Sequence, residues 1–301
     1  MYLKGLISAP HTPMYADLQI NLNRIDEQAE LLIRNNVSGV YICGSTGEGM
    51  SLTIDERMAV ATRWQQVAQN DLKVVVNVGH TSINDCKALA VHAANAGVYS
   101  ISAMPPCYYK PATIDDLVEF YSQIASAATN LPFYAYHTPG LTGVNFKMTQ
   151  FLEIASRKIP SLAGIKYNHN DFMDYAQCRA FDNGRYDILF GVDEMLLASL
   201  PYGTAGAIGS TYNYAAPLYH DLIKAFEMND YQRAIELQAK SIAIVNILIK
   251  YNPFAAGKSI MRLVGVDCGP VRTPLRNLTS HQLDQLTSDL EGIGFSEFCS
   301  K

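Results

Sequence analysis

The sequence predicts a (β/α)8 TIM barrel with a C-terminal helical extension. Three observations carry this: eight short apolar runs, amphipathic segments alternating with them through residues 1–215, and a helical pattern without strand signals afterwards. The expected domains are a catalytic barrel, 1–215, and a helical extension, 216–301, packed on it, since no flexible linker separates them.

The strand runs are GLISA (5–9), GVYIC (39–43), VVVNVG (74–79), SISAM (100–104), PFYAY (132–136), LAGIK (162–166), DILFGV (187–192) and AGAIGS (205–210). Each has the length of a buried strand, and most are rich in β-branched or aromatic residues. Between them, IDEQAELLIRNN (25–36) places Ile25, Ala29, Leu32 and Ile33 on one helical face. Thr53 followed by Glu56 forms a capping box that satisfies two free amides at a helix start. Segments 85–97, 113–128 and 147–158 repeat the helical pattern, as do 219–251 and 254–298 in the extension.

Composition narrows the class. Of the 301 residues, 49% are hydrophobic and 17% charged, which suits a globular chain with a large core. A net charge of -5 and a pI near 5.8 give no basic footprint, so nucleic acid is not an expected partner. No apolar stretch is long enough to span a membrane. The cysteines (43, 86, 107, 178, 268 and 299) form no CxxC pair, and MYLKGLISAPHTP is no secretory leader. They read as reduced thiols of a cytoplasmic protein.

In such a barrel, reacting groups sit at the C-terminal ends of the strands. The candidates are GSTGE (44–48), MPPCYY (104–109), AYHTPGLTG (135–143), Lys166, GVDE (191–194) and GSTYN (209–213). Lys166 ends an apolar run and admits two readings: an amine that snorkels to water, or a desolvated amine kept for nucleophilic chemistry. Tyr136 ends the neighbouring strand, as a proton-transfer phenol or as packing.

GSTGE brings two hydroxyls, Ser45 and Thr46, and glycines that let backbone amides approach an anion; a plain turn is the alternative. Gly203, Gly206 and Gly209 have no cation beside them for a phosphate, whereas Asp193 and Glu194 suit a hydroxyl-rich ligand. The seven histidines show neither HxH nor HExxH spacing, so no metal site is expected.

Taken in order, GSTGE, YHTPGLTG, GIK and the pair GVDE and GSTYN resemble the N-acetylneuraminate lyase subgroup of the dihydrodipicolinate synthase and N-acetylneuraminate lyase superfamily, over nearly the full chain. The resemblance implies that Lys166 forms a Schiff base with a 2-keto acid, that Tyr136 transfers protons and that Ser45 and Thr46 hold the carboxylate. It implies a sugar-binding set of Asn168, Gly191, Asp193, Glu194 and Ser210. Tyr108 matches a tyrosine that reaches a neighbouring subunit's site, in a homo-oligomer that is usually a tetramer. Asn168 departs from the usual threonine, and Leu141 stands where the synthases carry a carboxylate-binding arginine.

The implied activity is reversible cleavage of N-acetylneuraminate to N-acetylmannosamine and pyruvate, with no cofactor. The alternatives are an aldolase for another 2-keto-3-deoxy sugar acid and a catalytically silent sugar-acid sensor.

Overall fold

The computed structural model describes residues 3–68 and 71–301. Its eight parallel strands close into one ring in chain order, as predicted. They are β1 (Gly5–Ser8), β2 (Gly39–Ile42), β3 (Lys73–Asn77), β4 (Ser100–Ala103), β5 (Phe133–His137), β6 (Leu162–Tyr167), β7 (Asp187–Phe190) and β8 (Gly206–Gly209). The ring is sealed by β1 against β8, from Gly5 opposite Gly206 to Ser8 opposite Gly209.

Helices α1 (Arg24–Arg34), α2 (Ile54–Ala68), α3 (Ile83–Ala96) and α4 (Ile114–Ala125) follow the first four strands. A short α5 (Pro139–Thr142) and α6 (Met148–Lys158) follow β5, then α7 (Phe172–Ala180) after β6 and α8 (Leu196–Ser199) after β7. Local chemistry starts these helices where the sequence places them. Thr53 and Glu56 exchange the reciprocal bonds of a capping box, at 2.8 and 3.2 Å, and Thr113 with Asp116 makes a second.

Strand alternation divides the core in two. Val40, Ile42, Val74 and Val76 face the helices, while Ile7, Tyr41, Val75, Tyr134, Tyr136, Leu189 and Ile208 fill the barrel. At the barrel floor, buried Asp187 accepts bonds from the Leu3 amide (2.9 Å) and the Tyr134 hydroxyl (3.1 Å). Burial still raises its pKa to about 6.

The helix after β8, α9 (Tyr212–Glu227), runs across residue 215 and departs from helical geometry at Ala215. Pro217 accounts for the break, since it lacks an amide and crowds the carbonyl of Asn213. Then come α10 (Tyr231–Lys250), α11 (Pro253–Leu263) and α12 (Ser280–Gly292). Among the described residues, no helix is long and apolar enough to cross a membrane.

The extension grips the barrel mouth from both α10 and α11. From α10, Gln238 and Ser241 donate to the carbonyl of Asp193, at 3.3 and 3.2 Å. From α11, the Lys258 ammonium pairs with Glu48 at 2.8 Å, both side chains nearly inaccessible to water. Four cysteines, 43, 86, 178 and 268, are buried thiols whose pKa values burial pushes up to about 11 or 12, whereas Cys107 is exposed.

Candidate active site

Lys166 occupies the fifth position of β6 and points into the barrel, where it is only 5% exposed. It does not snorkel to solvent. Its Nζ lies 3.7 Å from the ring centre of Tyr41 and 4.2 Å from that of Tyr136. Burial lowers its pKa to about 7, against the opposing pull of the Asp193 carboxylate. A substantial fraction of this amine is therefore neutral at physiological pH, as a nucleophile requires.

The sheet register sets Tyr136 directly opposite Lys166. The phenol is buried, which raises its pKa, while hydrogen bonding to the Ser45 and Thr138 side chains moderates the rise. It therefore stays protonated near neutrality and can donate a proton or relay one. Tyr41 completes the aromatic surround, edge-on to Tyr136 at 5.5 Å, with its hydroxyl donating to Ser102 (3.1 Å).

Ser45 and Thr46 sit in a tight turn after β2. Glu48 takes a left-handed conformation (φ 53°), and the Gly49 amide returns to the Gly44 carbonyl at 3.0 Å. The turn is pinned from outside by Thr12, which donates to the Gly47 carbonyl (2.6 Å), and by Lys258 on Glu48. Both residues line the cavity.

Across the mouth, Asn168 donates from Nδ2 to the Thr138 hydroxyl at 3.1 Å. Gly191 gives it room, since a Cβ there would come within 3.0 Å of the Asn168 side chain. Asp193 is buried: Oδ2 accepts from the Thr211 amide (2.9 Å) and hydroxyl (2.6 Å), leaving Oδ1 without a protein partner. Its pKa is raised to about 6, chiefly by burial. Gly209 is needed beneath it, because a Cβ would collide with Oδ1 at 1.8 Å.

Ser45, Thr46, Tyr136, Lys166, Asn168, Gly191, Asp193, Glu194 and Ser210 all line one cavity of about 430 Å³. Tyr108 does not join them: it is 77% exposed, edge-on to Tyr109. Leu141, also exposed, stands at the cavity rim, and among the described residues no arginine lines the space.

Sequence reading missed several residues around the amine and along the cavity wall. Tyr41 was hidden because an inward tyrosine of a strand reads as core. Leu248 and Phe254, from α10 and α11, lie far along the chain in segments with only a helical signal. His11 follows β1, and the strand-end rule applied to that strand would have found it.

The dihydrodipicolinate synthetase family model matches residues 2–293. The curated N-acetylneuraminate lyase of Pongo abelii is 37% identical over 303 residues, covering 98% of this chain and 94% of that protein. Among solved structures, the N-acetylneuraminate lyase of Proteus mirabilis is 41% identical with a TM-score of 0.96, covering 98% of this chain and 100% of that one. The N-acetylneuraminate lyase (sialic acid aldolase) of Aliivibrio salmonicida is 38% identical, with a TM-score of 0.96 and 98% coverage of both chains.

Proposed function

The chain belongs to the dihydrodipicolinate synthetase family, and from that premise we propose that it is a Schiff-base aldolase that reversibly cleaves N-acetylneuraminate to N-acetylmannosamine and pyruvate. The observation that carries this reading is the buried Lys166 amine, with its lowered pKa, set in register with Tyr136 beside the Ser45–Thr46 turn.

In the proposed mechanism, Ser45 and Thr46 hold the ligand carboxylate through their hydroxyls, which directs the C2 ketone at Lys166. The neutral amine attacks C2, water leaves, and the resulting iminium draws electrons from the bond between C3 and C4. Tyr136 relays the proton from the C4 hydroxyl as that bond breaks. N-acetylmannosamine departs, the enamine is protonated, and hydrolysis releases pyruvate and the amine. The iminium is itself the electron sink, so the chemistry asks for no metal.

Asn168, Gly191, Asp193, Glu194 and Ser210 are the proposed grip on the hydroxylated tail. The free Oδ1 of Asp193 and the half-buried Glu194 offer acceptors that hydroxyls can use. Leu141 at the rim supports a sugar acid over a second substrate carboxylate, which would want a guanidinium there. We place the enzyme in the cytoplasm as a homotetramer in which Tyr108 serves the neighbouring subunit's site; its exposure in the protomer leaves it free to do so. The division into a 1–215 barrel and a 216–301 extension is kept as part of this reading, with α9 bridging the two.

The deciding experiment is pyruvate release from N-acetylneuraminate by the purified protein in a chelator. Release establishes the reaction and its independence of free metal. A folded protein that releases none, yet is inactivated by borohydride with pyruvate, is an aldolase for a different 2-keto-3-deoxy sugar acid. Failure of both overturns the proposal.

A further inference from the structure

We infer that His11 is a ligand-binding residue, a third neutral donor to the substrate carboxylate beside Ser45 and Thr46. This rests on the keto-acid reading of the site given above. His11 follows β1, the strand next to β2 in the ring, and lines the active cavity while only 2% exposed.

Neither ring nitrogen has a hydrogen-bond partner of good geometry within the protein. A buried polar atom left so carries the full cost of its lost hydration. A ligand in the cavity would supply the missing partner.

The surrounding structure holds the ring in place. Gln28 donates to the His11 carbonyl at 3.0 Å and fixes the backbone. Behind the ring, Gly257 lies within α11, and a Cβ there would approach the imidazole Cε1 and Nε2 to 2.7 Å. Glycine inside a helix is less favourable than alanine, and here it makes the space the ring occupies.

Electrostatics select the partner. Burial and the nearby Lys258 ammonium lower the His11 pKa to about 3, so the imidazole is neutral and offers one donor and one acceptor. The carboxylates of Asp193 and Glu194 stand on the β7 side of the mouth and disfavour an anion there. A carboxylate held by Ser45 and Thr46 has lone pairs to spare for an imidazole N–H.

The test is the pyruvate concentration that half-saturates borohydride inactivation, measured on the whole protein. His11→Phe fills the same space without a donor and should raise it about tenfold or more, the usual size of a hydrogen bond to a charged group. Maximal kcat should stay within about threefold, because the loss is one of binding. His11→Gln, which keeps a donor, should recover most of the affinity, and Gly257→Ala, which displaces the ring, should weaken it.

Thermal melts report folding, and His11→Leu replaces His11→Phe if the larger ring does not fold. Unchanged half-saturation in a folded His11→Phe or His11→Leu overturns the inference and leaves the Schiff-base reading intact. Absence of any pyruvate-dependent inactivation in the wild type overturns the Schiff-base reading, and His11's role with it.

Discussion

Lys166 ties the proposed chemistry to stability through one proton. Between about pH 7 and 10.5, the unfolded chain holds a proton on this amine that the folded chain lacks. Folding stability contributed by this group therefore rises with pH across that window, and the penalty is full below about pH 7. Lys166→Met should be more stable than wild type at pH 7, with the advantage shrinking toward pH 10.5. Urea midpoints measured across that range check it; a constant difference would mean that the amine's pKa is not lowered by folding. Pyruvate-dependent inactivation should slow as pH falls below about 7, and Lys166→Ala should abolish it.

Tyr136→Phe keeps the ring against Lys166 and removes only the proton-bearing oxygen. Turnover should fall about 100-fold to 10,000-fold with little change in melting temperature; near-normal kcat would remove Tyr136 from proton transfer. Both residues were legible because strand ends mark the mouth of a barrel. Tyr41 and His11 were not, since sequence does not show which side of a strand faces an amine, nor which buried ring lacks a partner.

At the scale of elements, the turn after β2 is held in shape by a helix more than two hundred residues away. Glu48 and Lys258 form a buried pair, the Lys258 ammonium also donates to the Pro270 carbonyl (2.6 Å), and Glu48 accepts from the Arg272 amide (2.8 Å). Removing one partner leaves an uncompensated buried charge, so Glu48→Gln or Lys258→Met should cost about 3–5 kcal/mol. The double variant should recover part of that, and denaturant titration of all three measures the coupling. The capping box at Thr53 was readable because its partners are three residues apart. The same Glu56 also binds Arg272 at 2.8 Å, which the sequence could not reveal, because that contact exists only after the extension docks.

Over the whole molecule, the barrel was legible because parallel strands buried on both faces write themselves as apolar runs. The extension's part in the site was not, since α10 and α11 announce only their helical period. Yet Ser241 joins a chain of hydroxyls through Tyr219 (2.8 Å) and Thr211 (2.6 Å) that ends on Asp193. A chain stopped after residue 230 would lose Ser241, Gln238 and Lys258 together. It should lack the near-ultraviolet circular dichroism of fixed tyrosine packing, and a cooperative melt of that fragment would show that the extension is dispensable to the fold.

The closure of β8 on β1 also sets an order of events on the ribosome. A nascent chain emerging from its N-terminus has β1 early, but the strand that must flank it arrives only near residue 206. Until then the growing sheet is an open crescent with two unpaired edges, and such edges invite association with other chains. Lys258 and Gly257, which brace the turn after β2 and the loop after β1, emerge later still. The amine and phenol are therefore translated well before their pocket exists, since its walls from α10 and α11 are made after both.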